Sequence, residues 1–423
     1  MLARIKALPE QVRQYLLITG NYWAFTLTDG ALRMLVVLHF HDLGYSPLAI
    51  AMLFLFYELF GVVTNLVGGW LGARLGLNRT MNIGLGLQIV ALAMLLVPVA
   101  WLTVPWVMAA QALSGIAKDL NKMSAKSAIK TLVPKGDTGE SRLYHYVAML
   151  TGSKNALKGV GFFLGAALLS LLGFKGAVLL MALMLTLVWL LSLAKLKSDL
   201  GKAKNKPKFS EIFSKSRSVN ILSAARLFLF ASRDIWFVVA LPVYLAATFG
   251  WDHWQVGSFL ALWVIGYGAV QSIAPRITGG KKPGGNNLGG NNPVAAQGAH
   301  VPNGKSALLW VSLLAGIPAL IALALSAGIA PEVSLVGGLA LFGAVFAVNS
   351  SLHSYLIVSY ANDDGVSLDV GFYYMANAMG RLIGTLLSGW VFQQWGLSAC
   401  LWISSLMLTI TALISIWLPR NSQ

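Results

Sequence analysis

Apolar runs of about 20 residues, the length a helix needs to cross a hydrocarbon core, recur along this chain with short polar connections between them. Twelve such runs lie near residues 14–40, 47–70, 79–99, 103–125, 143–171, 176–194, 219–247, 254–275, 306–326, 333–359, 368–393 and 397–418. No water is available at that depth to satisfy backbone amides, so each run reads as a helix. The chain is 57% hydrophobic and 11% charged, whereas soluble domains carry about 25% charged residues. Its mean hydropathy is +0.70. The expected fold class is an all-α membrane protein with twelve transmembrane helices.

A formal net charge of +16 would admit a nucleic-acid partner if the basic residues formed a stripe. They fall instead in alternate connections. One side has Arg4, Lys6 and Arg13, then Arg74 and Arg79, then Lys130, Lys135 and Arg142. The stretch Lys195–Arg217 and later Arg276, Lys281, Lys282 and Lys305 fall on the same side, while the other has little beyond Lys175. This is the positive-inside pattern. It predicts a multi-pass protein of the inner cell membrane with both termini cytoplasmic, embedded in the lipid bilayer and with no nucleic-acid partner. The basic start, Met1 to Arg13, lacks a cleavable signal pattern. The lone Cys400 rules out disulfides and thiolate metal sites within one chain. No nucleophile–base pair or metal-ligand cluster stands out beyond Asp363, Asp364 and Asp369 in one connection. Neither a cofactor nor an enzymatic activity is expected, and the chain is expected to act as a monomer.

The basic stretch after the sixth run divides the chain. An N-terminal six-helix bundle is expected over 1–194, a cytoplasmic basic linker over 195–218, and a C-terminal six-helix bundle over 219–423. The halves resemble each other: LGYSPLAI at Leu43–Ile50 reads against FGWDHWQV at Phe249–Val256. Asp29 and Asp234 stand 15 and 16 residues before Gly44 and Gly250. Parallel six-helix repeats of this kind build one large transporter architecture. The Gly/Asn-rich connection 278–305 cannot build a core and reads as a flexible cytoplasmic loop.

Charged residues inside the runs carry the functional signal, because a charge at membrane depth costs at least a few kcal/mol. In the fourth run Lys118, Lys122, Lys126 and Lys130 repeat every four residues, which puts them on one helix face. Counting depth from Val104, Lys118 and Asp119 lie inside, Lys122 at the interface, and Lys126 and Lys130 in cytosol. The fifth run adds Lys154, Asn155 and Lys158 with no acid nearby in sequence. Its glycines Gly152, Gly159, Gly161 and Gly165 would let helices approach closely.

In the first run Asp29 and Arg33 form an i,i+4 pair, either a self-neutralised bridge or an arginine facing a cavity beside its counter-ion. Glu58 in the second run is a proton carrier or a structural partner of a basic neighbour. Arg233 and Asp234 are adjacent, so their side chains are expected to diverge. Arg33 and Arg233, each in the first run of its half, would face each other and fork onto oxyanion oxygens. Asn121, Asn377 and Arg381 complete the candidate substrate contacts. The candidate proton couplers are Asp29, Glu58, Asp119, Asp234 and His353, the last being also readable as an ordinary interior histidine. Asp363, Asp364 and Asp369 oppose Lys126, Lys130 and Lys135 at pseudo-equivalent helix ends and could form a cytoplasmic gate. Capping by Ser367 or Asp369 would explain the same acids. Together these residues point to transport of a multiply anionic small molecule. Interior lysines exceed carboxylates, which argues against a lipophilic-cation exporter.

The stretch GWLGARLGLNR at Gly69–Arg79 resembles the signature loop of the major facilitator superfamily. Ala73 stands where that family usually has aspartate, so the charge relay assigned to the aspartate does not carry over. Gly152, Gly161 and Gly165 partly match that family's helix-five antiporter pattern, with Ala166 in place of its proline. More specifically, GNYWAFTLTDGALR at Gly20–Arg33, AKDLNKMSAK at Ala117–Lys126 and GSKNALKG at Gly152–Gly159 resemble the ArsJ-type organoarsenical exporters of that superfamily. The likeness covers mainly the first 165 residues. It implies export of 1-arseno-3-phosphoglycerate by alternating access, and with it arsenate resistance. It also implies a functional link, without direct binding, to the glyceraldehyde-3-phosphate dehydrogenase that makes the ester. A pentavalent arsenic oxyanion is held by lysine and arginine, as phosphate is, whereas trivalent arsenic would need thiolates. Charge alone does not separate this cargo from an ordinary organophosphate, which leaves an organophosphate–phosphate exchanger as the alternative.

Overall fold

The computed structural model describes residues 10–44, 53–132, 137–196, 200–204, 207–213, 216–251, 253–278 and 302–420. Lys135, the N-terminal Arg4 and Lys6, and most of the Gly/Asn-rich connection lie outside them. The helices are α1 (Glu10–Asp42), α2 (Leu55–Leu75), α3 (Leu77–Met94), α4 (Val104–Leu132), α5 (Asp137–Lys195), α6 (Arg217–Phe237), α7 (Ala240–Phe249), α8 (His253–Ile277), α9 (Gly304–Ser326), α10 (Pro331–Tyr360) and α11 (Val366–Ser415). Helix α5 is two helices joined at Gly173 (φ 65°), and α11 is two joined at Gly396 (φ 76°). A residue without Cβ takes that left-handed turn at little cost. Gly44 and Gly250, matched in the sequence repeat, likewise both have positive φ, 84° and 71°.

Among the described residues, seven helical stretches are long and apolar enough to cross a membrane by length and composition alone. This is a multi-spanning all-α membrane fold. Helices α1 and α4 are 33 and 29 residues long but are not among the seven, since their charges lower the hydropathy. Those are the helices that carry most of the candidate site.

The chain forms two compact units. The first comprises Met1–Leu132, Lys154–Ser214 and Ala361–Ala378. In it α4 is the central helix, packed against α1, α2 and α3. Gly30 of α1 lies against the backbone of α5 at Lys158 and Gly161, where an added Cβ would come within 2.8 Å of the Lys158 carbonyl. The small residues of α5 therefore do bring two helix backbones together. Ser192 ties three helices, accepting from Asn21 Nδ2 at 2.8 Å and donating to Asn82 Oδ1 at 2.5 Å. Trp189 Nε1 donates to the Asn82 carbonyl at 2.9 Å.

The second unit comprises Val133–Ser153, Lys215–Tyr360 and Met379–Gln423, and here α10 is central, packed on α6, α8 and α9. Its core is aromatic: Trp236 meets Phe342 and Trp263 edge-on at 5.1 and 6.0 Å, and Trp263 stacks on Tyr267. The helix that begins at Arg217 breaks at Val238 and Val239. Ser388 Oγ of α11 accepts the freed N–H groups of Val239 and Ala240 at 3.3 and 3.1 Å. A broken helix at membrane depth needs such side-chain partners.

Candidate functional site

In the first unit, charged side chains of α1, α2 and α4 converge on two tyrosines. Gly115 of α4 lets that helix press on the backbone of Tyr57, where a Cβ would sit 2.6 Å from its carbonyl oxygen. The Tyr57 hydroxyl donates to Asp29 at 2.7 and 2.9 Å to its two oxygens, and the Asp29 carboxylate is 5% exposed. Arg33 pairs with Glu58 at 3.6 Å and lies over the rings of Phe54 and Tyr57 at 5.0 and 5.3 Å. The expected i,i+4 pair between Asp29 and Arg33 is therefore replaced by two partners from α2. Spacing along a helix permits a pair, but an adjacent phenol and carboxylate on the neighbouring helix compete for both members.

The lysines of α4 continue the line. Lys118 Nζ is 3.8 Å from the centroid of Tyr57. Lys122 bonds Asp119 at 2.7 Å and sits 4.6 Å from the Tyr374 ring centroid. Lys126 donates to the Tyr374 hydroxyl and lies 4.9 Å from the same ring. A cation over a tyrosine face is attracted by the ring quadrupole, more strongly where water is excluded. Lys126 is only 3% exposed, so it is not the solvated residue that the depth count suggested: α4 runs on to Leu132, packed throughout. Lys130 is also held, by the Ala361 carbonyl and by Asp363 at 3.7 Å.

The other acids of this connection have backbone partners. Asp364 accepts from Lys204 N at 2.8 Å and Asp369 from Asn362 N at 3.0 Å, while Ser367 Oγ donates to the Gly69 carbonyl at 2.7 Å. Asn121 is fully buried, donating to the Ala117 carbonyl at 2.9 Å against Gly84 of α3. Lys154, Asn155 and Lys158 are half-buried on α5, on the part that approaches α1. Asn377 is buried in α11. Sequence reasoning missed Tyr374 and gave Tyr57 no role. The signal available was the Tyr373-Tyr374 pair inside an apolar run.

In the second unit Asp234 is the centre. Arg233 bonds it at 2.5 Å and Arg381 at 3.3 Å, and the carboxylate is almost wholly buried. Arg233 and Asp234 do not diverge as expected, because the long arginine side chain curls back onto its neighbour. The Arg233 guanidinium also lies over Phe230, Phe346 and Phe237 at 4.8, 5.5 and 5.8 Å. Arg226 stacks on Phe230 at 3.9 Å and donates to the Ser350 carbonyl at 3.4 Å. His353, one turn further along α10, is fully buried, and neither ring nitrogen has a hydrogen-bond partner among the described residues.

The fold is thus multi-spanning and helical, with charged side chains held inside packed helices. The chain belongs to the Major Facilitator Superfamily, whose family model matches residues 18–361, and it is a membrane transporter rather than an enzyme. No curated protein matches it. Among solved structures it is similar to the human organic anion transporter MFSD10 (TETRAN). That match has a TM-score of 0.73 at 15% identity and covers 96% of this chain and 100% of that one. A bacterial homologue of the iron transporter ferroportin, in an outward-facing state, matches with TM-score 0.72 at 14% identity over 96% and 98% of the two chains. The fucose:proton symporter of E. coli matches with TM-score 0.72 at 12% identity over 97% and 99%. Identities this low bear on fold alone.

Proposed function

We propose that this transporter exports a multiply anionic small molecule by alternating access, and that its cargo is 1-arseno-3-phosphoglycerate. The observation that carries the reading is the charge on α4, four lysines against one aspartate within a single packed helix. Cations at that depth are retained where they meet a wet pathway or an anion. Arg33, Lys118, Lys122, Lys154 and Lys158 of the first unit are the proposed cargo contacts there, with Asn121, Asn155 and Asn377 as supporting amides. Arg233 and Arg381 are those of the second. Asp29, Glu58, Asp119, Asp234 and His353 are the proposed proton carriers. The choice of an arsenic ester rests on the resemblance at Gly20–Arg33, Ala117–Lys126 and Gly152–Gly159; an ordinary organophosphate would satisfy the same cations.

In this reading the chain is a monomer of twelve spans in two six-helix halves, with both termini in the cytoplasm. It receives cargo from the glycolytic dehydrogenase without binding it. Lys126 and Lys130 with Asp363, Asp364 and Asp369 form the cytoplasmic gate.

The test is uptake of enzymatically generated arsenoester into inverted vesicles. Wild type should accumulate it, and Lys154→Ala/Lys158→Ala should lose about tenfold or more, the effect of roughly 1.4 kcal/mol in binding. Uptake of a sugar phosphate in exchange for phosphate, without arsenoester uptake, would select the exchanger. Uptake of neither would overturn the anionic cargo.

A further inference from the structure

Between α5 and α6, residues 200–204 and 207–213 are bonded to the end of α2 and the start of α3. Ala203 N donates to the Ala73 carbonyl and Leu77 N to the Leu200 carbonyl, both at 2.8 Å. Trp70 Nε1 donates to the Pro207 carbonyl at 3.0 Å, and the Trp70 ring meets Phe209 edge-on at 5.5 Å. The Arg74 guanidinium covers the Trp70 ring at 5.1 Å. Lys204 N is held by Asp364, and Lys208 N by Glu211 at 3.0 Å.

The apolar side chains of this strap are only partly buried. Ala203 and Ile212 are buried, at 8% and 5% exposure, while Phe209 and Phe213 are exposed at 58% and 59%. Lys202, Lys204 and Lys208 of the same strap are exposed too. Large apolar side chains presented together on a surface mark an interaction site.

We propose that residues 200–204 and 207–213 form a docked strap that binds anionic phospholipid headgroups of the adjacent leaflet. Its position fixes the partner, because the strap is tied to Trp70, Ala73 and Leu77, where the apolar helix α2 ends. Aromatic rings settle at headgroup level, and lysines next to a span are attracted to anionic lipid. The phenylalanines enter the acyl boundary and the lysines neutralise phosphate. This inference is independent of the cargo.

The experiment is native mass spectrometry of the purified full-length protein titrated with phosphatidylglycerol or phosphatidylcholine. The expected result is preferential, salt-sensitive retention of phosphatidylglycerol. The variant Lys202→Gln/Lys204→Gln/Lys208→Gln should weaken that retention roughly tenfold or more, the scale of three lysines near an anionic surface. Phe209→Ser/Phe213→Ser should weaken binding but keep its salt dependence, and the exposed Lys175→Gln should behave as wild type. Undiminished binding by the lysine variant would overturn the proposal. So would displacement of the lipid by inorganic phosphate, which would assign the lysines to a soluble oxyanion. If the lysine variant does not fold, salt-insensitive binding by wild type would overturn it equally.

Discussion

Lys118 rests its ammonium 3.8 Å from the centre of the Tyr57 ring, on the same phenol whose hydroxyl holds Asp29. One aromatic side chain thus serves a cation on its face and an anion at its edge, joining α1, α2 and α4 at a single residue.

Tyr57→Phe keeps the ring and removes the donor. Asp29 would be left as a buried acceptor short of a bond, a loss of about 1–3 kcal/mol, read as a lower midpoint of thermal unfolding in detergent. Adding Asp29→Asn should restore part of the loss, since a neutral amide is less costly to leave in that place. An unchanged midpoint in Tyr57→Phe would show that Asp29 has another source of support.

Asp234→Asn removes the counter-charge shared by Arg233 and Arg381. Breaking a buried ion pair by deleting one member costs about 3–5 kcal/mol; Arg381 is partly exposed, so the lower end is expected. The same unfolding assay checks it. Arg381→Ala should cost less, because Arg233 still neutralises the carboxylate.

Gly371→Val should abolish folded protein. A Cβ at Gly371 would lie 2.6 Å from the Asn65 carbonyl and 2.8 Å from Gly69 Cα, and backbone cannot give way there. Gly389→Ala, on the same helix with open space around it, should fold as well as wild type or slightly better, as alanine favours helix by about 1 kcal/mol over glycine. Yield of monodisperse protein on size-exclusion chromatography separates the two.

Lys130→Asp should reduce transport if its bridge to Asp363 works as a gate, and Lys130→Asp/Asp363→Lys should recover it. Vesicle uptake gives the readout. Because Asp363 is more than half exposed, the ion pair itself adds little to stability. Lys130, only 15% exposed, also loses its bond to the Ala361 carbonyl in both variants, so both midpoints should fall by a similar amount while only the exchanged pair recovers transport.

The lysine periodicity of α4 was legible because spacing on one helix decides which side chains share a face. Their partners were not. Tyr374 meets Lys126 from 248 residues away, and no local pattern announces that approach. The same limit explains Asp29 and Arg33, where the sequence offers an internal pair and α2 supplies better-placed groups to each. A count from Val104 puts Lys126 in cytosol because it treats a helix as ending where the hydrocarbon does, whereas the Tyr374 ring holds this lysine in a buried place. The glycines Gly44 and Gly250, matched by motif, both have positive φ. Adjacency does not reveal the Arg233–Asp234 contact, because side-chain direction at the Cα says little about where a flexible arginine ends.

The bonds joining Asn21, Ser192 and Asn82 lie among apolar helices, where no solvent molecule stands ready to take over a severed contact. Rupture there would be far dearer than at an aqueous surface, so α1, α3 and the last part of α5 should travel as one body through any working cycle. A spin-label pair across those three helices should hold a constant separation while the protein turns over.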